Sequence, residues 1–149
     1  MRIIKNINAK KILSFFWKQK GSSYYNSKGL AVGVFSGCFP FFGLQTLIGV
    51  FLAHIIRGNL TLAAIGTWIS NPFTYIPLYI FNYKVGSLFI KSSSGLNIQS
   101  GFIDNQIWQR GWLFSSRLLL GSFLVGSVLG VISGLIAYLI YKFILKKKS

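Results

Sequence analysis

The 149-residue chain is 52% hydrophobic and only 11% charged, against roughly 25% charge in a soluble domain. That leaves too little polar surface to cover one folded domain, so something other than water covers its outside. Of the charges, 16 are Lys or Arg and one is acidic, a formal net +15, which excludes paired-carboxylate catalysis and a carboxylate-based proton or sodium relay.

Seven of the basic residues fall in the first 28 positions (Arg2, Lys5, Lys10, Lys11, Lys18, Lys20, Lys28). Within this basic segment, 1–28, the run KKILSFFWKQK sets an apolar block between lysines, which predicts a helix lying in a membrane interface. Three stretches then lack Lys, Arg, Asp and Glu: 29–56, 58–83 and 118–141. Each exceeds the roughly 20 residues a helix needs to cross about 30 Å of hydrocarbon. Together they predict an all-helical, polytopic membrane domain over 29–141.

The first two stretches are broken. Pro40 lies inside Cys38-Phe39-Pro40-Phe41-Phe42-Gly43, where it removes a donor and clashes with the preceding turn; a second limb is expected from Gly43. Ser70-Asn71-Pro72 interrupts the second stretch. Asn is a favoured N-cap and Pro a favoured first helical residue, so a new helix is expected at Pro72. Each broken stretch reads either as a kinked spanning helix or as a helix-break-helix element that re-enters. In both readings the freed backbone groups must be buried in protein or face water. Residues 84–117 read as a polar loop, Ser- and Gly-rich over Ser92–Ser100 and holding the one acid, Asp104. Trp108, Arg110, Trp112 and Arg117 suit re-entry through an interface. The last stretch has no proline, carries Tyr138 and Tyr141 near its boundary, and predicts one spanning helix before the basic tail 142–149.

A strongly basic balance suits nucleic acid or an anionic membrane. Here the charges flank apolar segments, and neither zinc-finger spacing nor a groove-reading helix occurs. Anionic lipid headgroups, not nucleic acid, are therefore the expected partner. The tails are more densely basic than 84–117, which places both tails in the cytoplasm and that loop outside. An even number of crossings follows, as when one broken stretch leaves by the face it entered.

Gly29, Gly33 and Gly37 recur at four-residue spacing. So do Gly126, Gly130 and Gly134, with Ser122 one step before. Each set predicts a small-residue groove that admits another backbone. Two grooves favour packing of the first limb on the last helix; the alternative is a homodimer through one of them. Tyr75, Tyr79 and Tyr83 also share a helix face, lining a path or packing through their hydroxyls.

These features resemble the bacterial membrane domain of unknown function numbered 2062. The pattern is Ala31-x-Gly33-x-Phe35-x-Gly37, Pro40, Gly43, Gln45, Arg57-x-Asn59, Gly66-Thr67-Trp68-x-x-Asn71-Pro72-x-Thr74, Pro77, Tyr79, Tyr83 and Gly86. One departure is Leu60-Thr61, where such domains often place a proline after the Arg-x-Asn element. The resemblance implies a multi-pass protein of the bacterial cytoplasmic (inner) membrane. It brings no established activity. Similar domains occur joined to glycosyltransferase-like domains, which points to envelope glycans or lipid carriers.

Chemistry-bearing residues are few. A lone His54 and a lone Cys38 cannot make a metal site. No phosphate loop or nucleophile elbow occurs, so neither a cofactor nor enzyme activity is expected. Arg57, between apolar stretches, either snorkels from a short turn or contacts an anion. Helix N-termini near Gly43 and Pro72 would favour the same anion, and paired broken segments mark transporter sites. The expected substrate-binding set is Arg57 for charge, Gln45, Asn59 and Asn71 for hydrogen bonds, and Trp68 as a wall. Two functions follow as expectations. One is a small transporter or lipid translocase for an anionic, phosphate-bearing envelope substrate, acting as a homo-oligomer. The other is a membrane scaffold or accessory subunit of an envelope enzyme, held to a partner through the glycine grooves and the basic tails.

Overall fold

A computed structural model describes residues 21–91 and 103–146. They are helical: α1 Ser23–Gly37, α2 Leu44–Ile55, α3 Leu60–Gly66 prolonged by a 3-10 turn Thr67–Ile69, α4 Tyr75–Phe89 and α5 Ile103–Lys146. No strand occurs among the described residues. One helix among them, α5 over Arg110–Phe143, is long and apolar enough to cross a membrane, while α2 and the Leu60–Ile69 segment are apolar but short. The interfacial helix expected at Lys10–Lys20, the loop expected at Ser92–Ser100 and the side chain of Trp108 lie outside the described residues.

The helices overrun the charge-free stretches. Ser22 caps α1 by accepting from Tyr25 N at 3.1 Å, and α1 goes on to include Lys28. Lys84 lies inside α4, and Asp104, Arg110 and Arg117 lie inside α5, so much of the loop expected over 84–117 is helix. A basic side chain is no obstacle where it meets a helix end. Lys28 Nζ donates to Ile56 O at the end of α2, at 2.6 Å, and Arg117 Nε donates to Ile90 O at the end of α4, at 3.0 Å. Both supply donors to carbonyls that have no intrahelical partner.

Pro40 ends α1. With no N–H at residue 40 the next helical bond is missing, and the coil tightens instead: Cys38 N and Phe39 N donate to Phe35 O and Ser36 O, each at 3.2 Å. Gly43, at φ 84°, turns the chain into α2 in a conformation that favours glycine. At the second break, Asn71 Oδ1 accepts from Phe73 N at 2.9 Å and Thr74 N at 3.1 Å, and Thr74 Oγ1 accepts from Asn71 N at 3.0 Å. This reciprocal cap starts the coil that becomes α4. Regular α-helix begins at Tyr75 and not at Pro72, although Tyr75 N already bonds Asn71 O at 2.9 Å. The same Thr74 hydroxyl donates to Ile69 O at 2.6 Å, satisfying the end of the preceding turn.

α5 is the spine. α4 and α1 pack on it one after the other, both antiparallel to it. Gly86 meets the Arg117 carbonyl and Gly121 meets the Asn82 carbonyl; farther along, a β-carbon on Gly126 would lie 2.9 Å from Phe35 O and one on Gly130 2.9 Å from Ala31 O. The groove of α5 thus receives α1, as expected. The groove of α1 does not face α5: Gly29 meets the Asn59 backbone, Gly33 the Ala63 carbonyl and Gly37 Thr67. That places α3 parallel to α1 at constant offset, because α1 is covered on two sides. α2 runs back between, with Gly49 against the Ser36 hydroxyl.

The chain therefore runs forward on α1, back on α2, forward on α3 and onward through the second break into α4, then returns on α5. Both breaks lie at one height. The start of α1 and the end of α5 lie together at one end, where Leu62, Ala137 and Tyr141 form a core with Leu30 and Ile65.

Asn59 anchors the return. Its Oδ1 accepts from Thr61 N and Leu62 N at 3.0 and 3.2 Å, and its Nδ2 donates to buried Asn26 Oδ1 at 2.7 Å. Asn59→Ala removes a cap and a buried acceptor's donor, and is expected to destabilise by about 2 kcal/mol. Thermal melting in mild detergent checks this; an unchanged midpoint would count against it.

Candidate functional site

The two breaks open onto a cleft of about 260 Å³. Phe42, Gly43, Gln45 and Thr46 from the start of α2 form one wall; Thr67, Trp68, Ser70, Asn71 and Pro72 form the other. Its polar atoms can be accounted for one by one. Thr67 Oγ1 donates to Ala64 O at 2.7 Å, so the 3.0 Å contact between Thr46 Oγ1 and Thr67 Oγ1 uses the Thr46 proton. Ser70 Oγ donates to Gln45 Oε1 at 3.0 Å, in preference to Thr67 O at 3.5 Å. Asn71 Oδ1 is consumed by the cap.

Among the side-chain atoms donors remain, and the Phe42 and Ser70 carbonyls also bond to nothing among the described residues. Gln45 is 5% exposed, and its Nε2 bonds to nothing among the described residues. The same holds for Asn71 Nδ2 and for the N–H groups of Gly43 and Leu44, and α2 has no side-chain N-cap. No charged side chain lines the cleft. Its positive character comes from oriented amides and from the α2 dipole, equivalent to roughly half a charge at that end. The free donors suit a phosphate or carboxylate oxygen.

The expected substrate-binding set is divided by the fold. Gln45, Trp68 and Asn71 come together at the cleft; Arg57 and Asn59 do not. The 12 residues of α2 put Arg57 about 18 Å away along the axis. There Arg57 N donates to His54 O at 3.1 Å and Gly58 N to Ala53 O at 2.7 Å, the two bonds of a Schellman motif. Arg57 holds its left-handed position at φ 52°. Its side chain is exposed and has no hydrogen-bond partner among the described residues. Asn59 is a structural cap, as described above.

Thr46, Thr67 and Ser70 of the cleft were not expected as binding residues, although Thr67 and Ser70 lie in the motif and the break read from the sequence, and the junction behind the cleft was not foreseen. Asn82 Nδ2 donates to Cys38 O at 2.9 Å and to Ser122 Oγ at 3.0 Å. Tyr79 OH donates to Phe39 O at 3.2 Å. Two carbonyls released by Pro40 are thereby satisfied from α4. The tyrosine face is packing: Tyr79 makes this bond, and Tyr83 OH accepts from Arg117 at 3.1 Å. The signal was present, since a helix break shielded from water requires donors, but spacing did not say which residues supply them.

The model of the family described as "Uncharacterized protein conserved in bacteria (DUF2062)" matches residues 8–149. The chain belongs to that family. Both breaks and the whole cleft fall inside the DUF2062 match. Its Thr67-Trp68-x-x-Asn71-Pro72-x-Thr74 element builds one cleft wall and the cap that ends it. No curated protein and no solved structure matches the chain.

Proposed function

We propose that this DUF2062 chain is a multi-pass protein of the bacterial cytoplasmic membrane that binds the anionic, phosphate-bearing part of an envelope lipid or its precursor at the cleft and carries it across, as a small translocase. The observation that carries the reading is the buried Gln45, with its Nε2 unbonded among the described residues, beside the uncapped start of α2. Gln45 Nε2 is therefore a donor held in place by the Ser70 bond to its Oε1 and open to an oxyanion entering the cleft. Discontinuous helices whose N-termini point at an anion are the way many transporters bind substrate.

The exterior supports the membrane setting. Phe73 is 91% exposed, and Val131, Leu135 and Leu139 leave a wide apolar face on α5. In this reading α1 and α2 enter and leave by the same face, α3 and α4 make one broken crossing, and α5 returns. Two crossings put both basic tails in the cytoplasm. A scaffold role would need a surface other than the glycine grooves, since both are occupied within the chain.

Gln45→Glu keeps the acceptor for Ser70, removes the free donor and adds a repelling charge. In proteoliposomes, transbilayer movement of a fluorescent phosphatidic acid is expected to fall by more than about tenfold in this variant, a loss equivalent to roughly 1.4 kcal/mol. Equal movement in variant and wild type, with the fold intact, defeats the proposal.

A further inference from the structure

The guanidinium that the cleft does not use has its own surroundings. Lys28 already supplies the donor at Ile56 O, so Arg57 is not needed to close α2. Its left-handed position is one that glycine or asparagine would take at lower energy. An arginine there carries a conformational cost with no side-chain hydrogen bond to the described residues to offset it.

Two residues before Arg57 in the chain lies one end of an apolar stripe, Ile55, Phe51, Leu47 and Leu44, at helical spacing and more than half exposed at every position. It ends at Gly43, at the height of the breaks. The stripe is about 18 Å long, close to the depth of one leaflet, half of a roughly 30 Å core. A bare cation thus stands at one end of an apolar track one leaflet deep.

From this juxtaposition we propose a second lipid site, separate from the cleft: an anionic phospholipid with its headgroup phosphate on Arg57 and one acyl chain along Ile55, Phe51, Leu47 and Leu44. Planar guanidinium favours bidentate contact with phosphate. Charge complementarity selects the anionic headgroup, and the length match selects an acyl chain over a protein helix. The site rests on the bilayer setting proposed above but not on translocation.

Native mass spectrometry after reconstitution into equimolar phosphatidylglycerol and phosphatidylcholine tests it. Wild type is expected to retain phosphatidylglycerol in preference to phosphatidylcholine. Arg57→Gly should retain less phosphatidylglycerol, only what the cleft holds, while melting several degrees higher, because glycine relieves the backbone; a purely structural arginine would not give that pair of effects. Lys142→Gln, which removes a charge at the same end, and Gln45→Glu should both keep the preference. Undiminished phosphatidylglycerol retention in Arg57→Gly overturns the second site. Loss in Gln45→Glu with retention in Arg57→Gly also overturns it, since the lipid then occupies the cleft and the translocase proposal survives alone.

Discussion

Gly121→Val should abolish the folded protein, with a loss of more than about 3 kcal/mol. Gly121 faces the Asn82 carbonyl and Gly86 faces the Arg117 carbonyl, both closer than any β-carbon tolerates. Overpacking a core typically costs 1–3 kcal/mol, and that range assumes that flexible side chains yield. Here the obstacle is the main chain of α4, which can move only by separating two helices. Separation also strains the Asn82 bonds and the Arg117 bond to Ile90 O. Gly111 supplies the contrast, for a β-carbon there meets nothing within 4 Å. Gly111→Ala should therefore stabilise slightly, by about 0.5–1 kcal/mol, through helix propensity alone. Size-exclusion profiles and thermal melts of the two variants check the pair; a well-folded Gly121→Val would show that α4 and α5 are not in this contact.

Asn82→Leu is expected to cost about 2–3 kcal/mol, more than a surface hydrogen bond would. Asn82 is 0% exposed, as is Ser122. The substitution leaves the Cys38 carbonyl and the Ser122 hydroxyl without a donor in a dry setting, at on the order of 1–3 kcal/mol each. Some of that is recovered, because Asn82 Oδ1 is itself buried without a partner and disappears with the side chain. The double variant Asn82→Leu/Ser122→Ala should regain part of the loss, since the hydroxyl is then gone too. A single variant as stable as wild type would mean that the α1 break is satisfied in some other way.

The sequence carried the positions of the breaks because their chemistry is local. Proline at 40 and Asn-Pro at 71–72 act within one turn, and the structure interrupts the helices there. The groove on α5 was also legible, since a four-residue period marks a continuous face. Gly86 and Gly121, where helices come closest, have no period. A single point of crossing leaves no repeat, so spacing passes over it.

Helix limits were misjudged for a different reason. Absence of charge locates apolar surface, not what is coiled: Lys28 and Arg117 sit in helices by reaching carbonyls at the ends of others, and Lys84 is exposed on α4. The grouping of Arg57 with Gln45 failed on distance. Both flank apolar segments, yet a helix of 12 residues separates them, and its length was countable in the sequence. The partner of the α1 groove could not be read, because it depends on which way α3 runs after the turn at Arg57.

The arrangement along α5 has a bearing on synthesis. α1 finds α3 and α2 early, since all three are made in succession. The flank of α1 at Ala31 and Phe35, and the amide of Asn82, wait for α5, which is translated after them. Until it emerges, α1 and α4 meet at the break, where Tyr79 bonds Phe39 O and Asn82 bonds Cys38 O. α5 then covers the flank of α1 and meets the Asn82 amide together, so the last helix made completes both contacts.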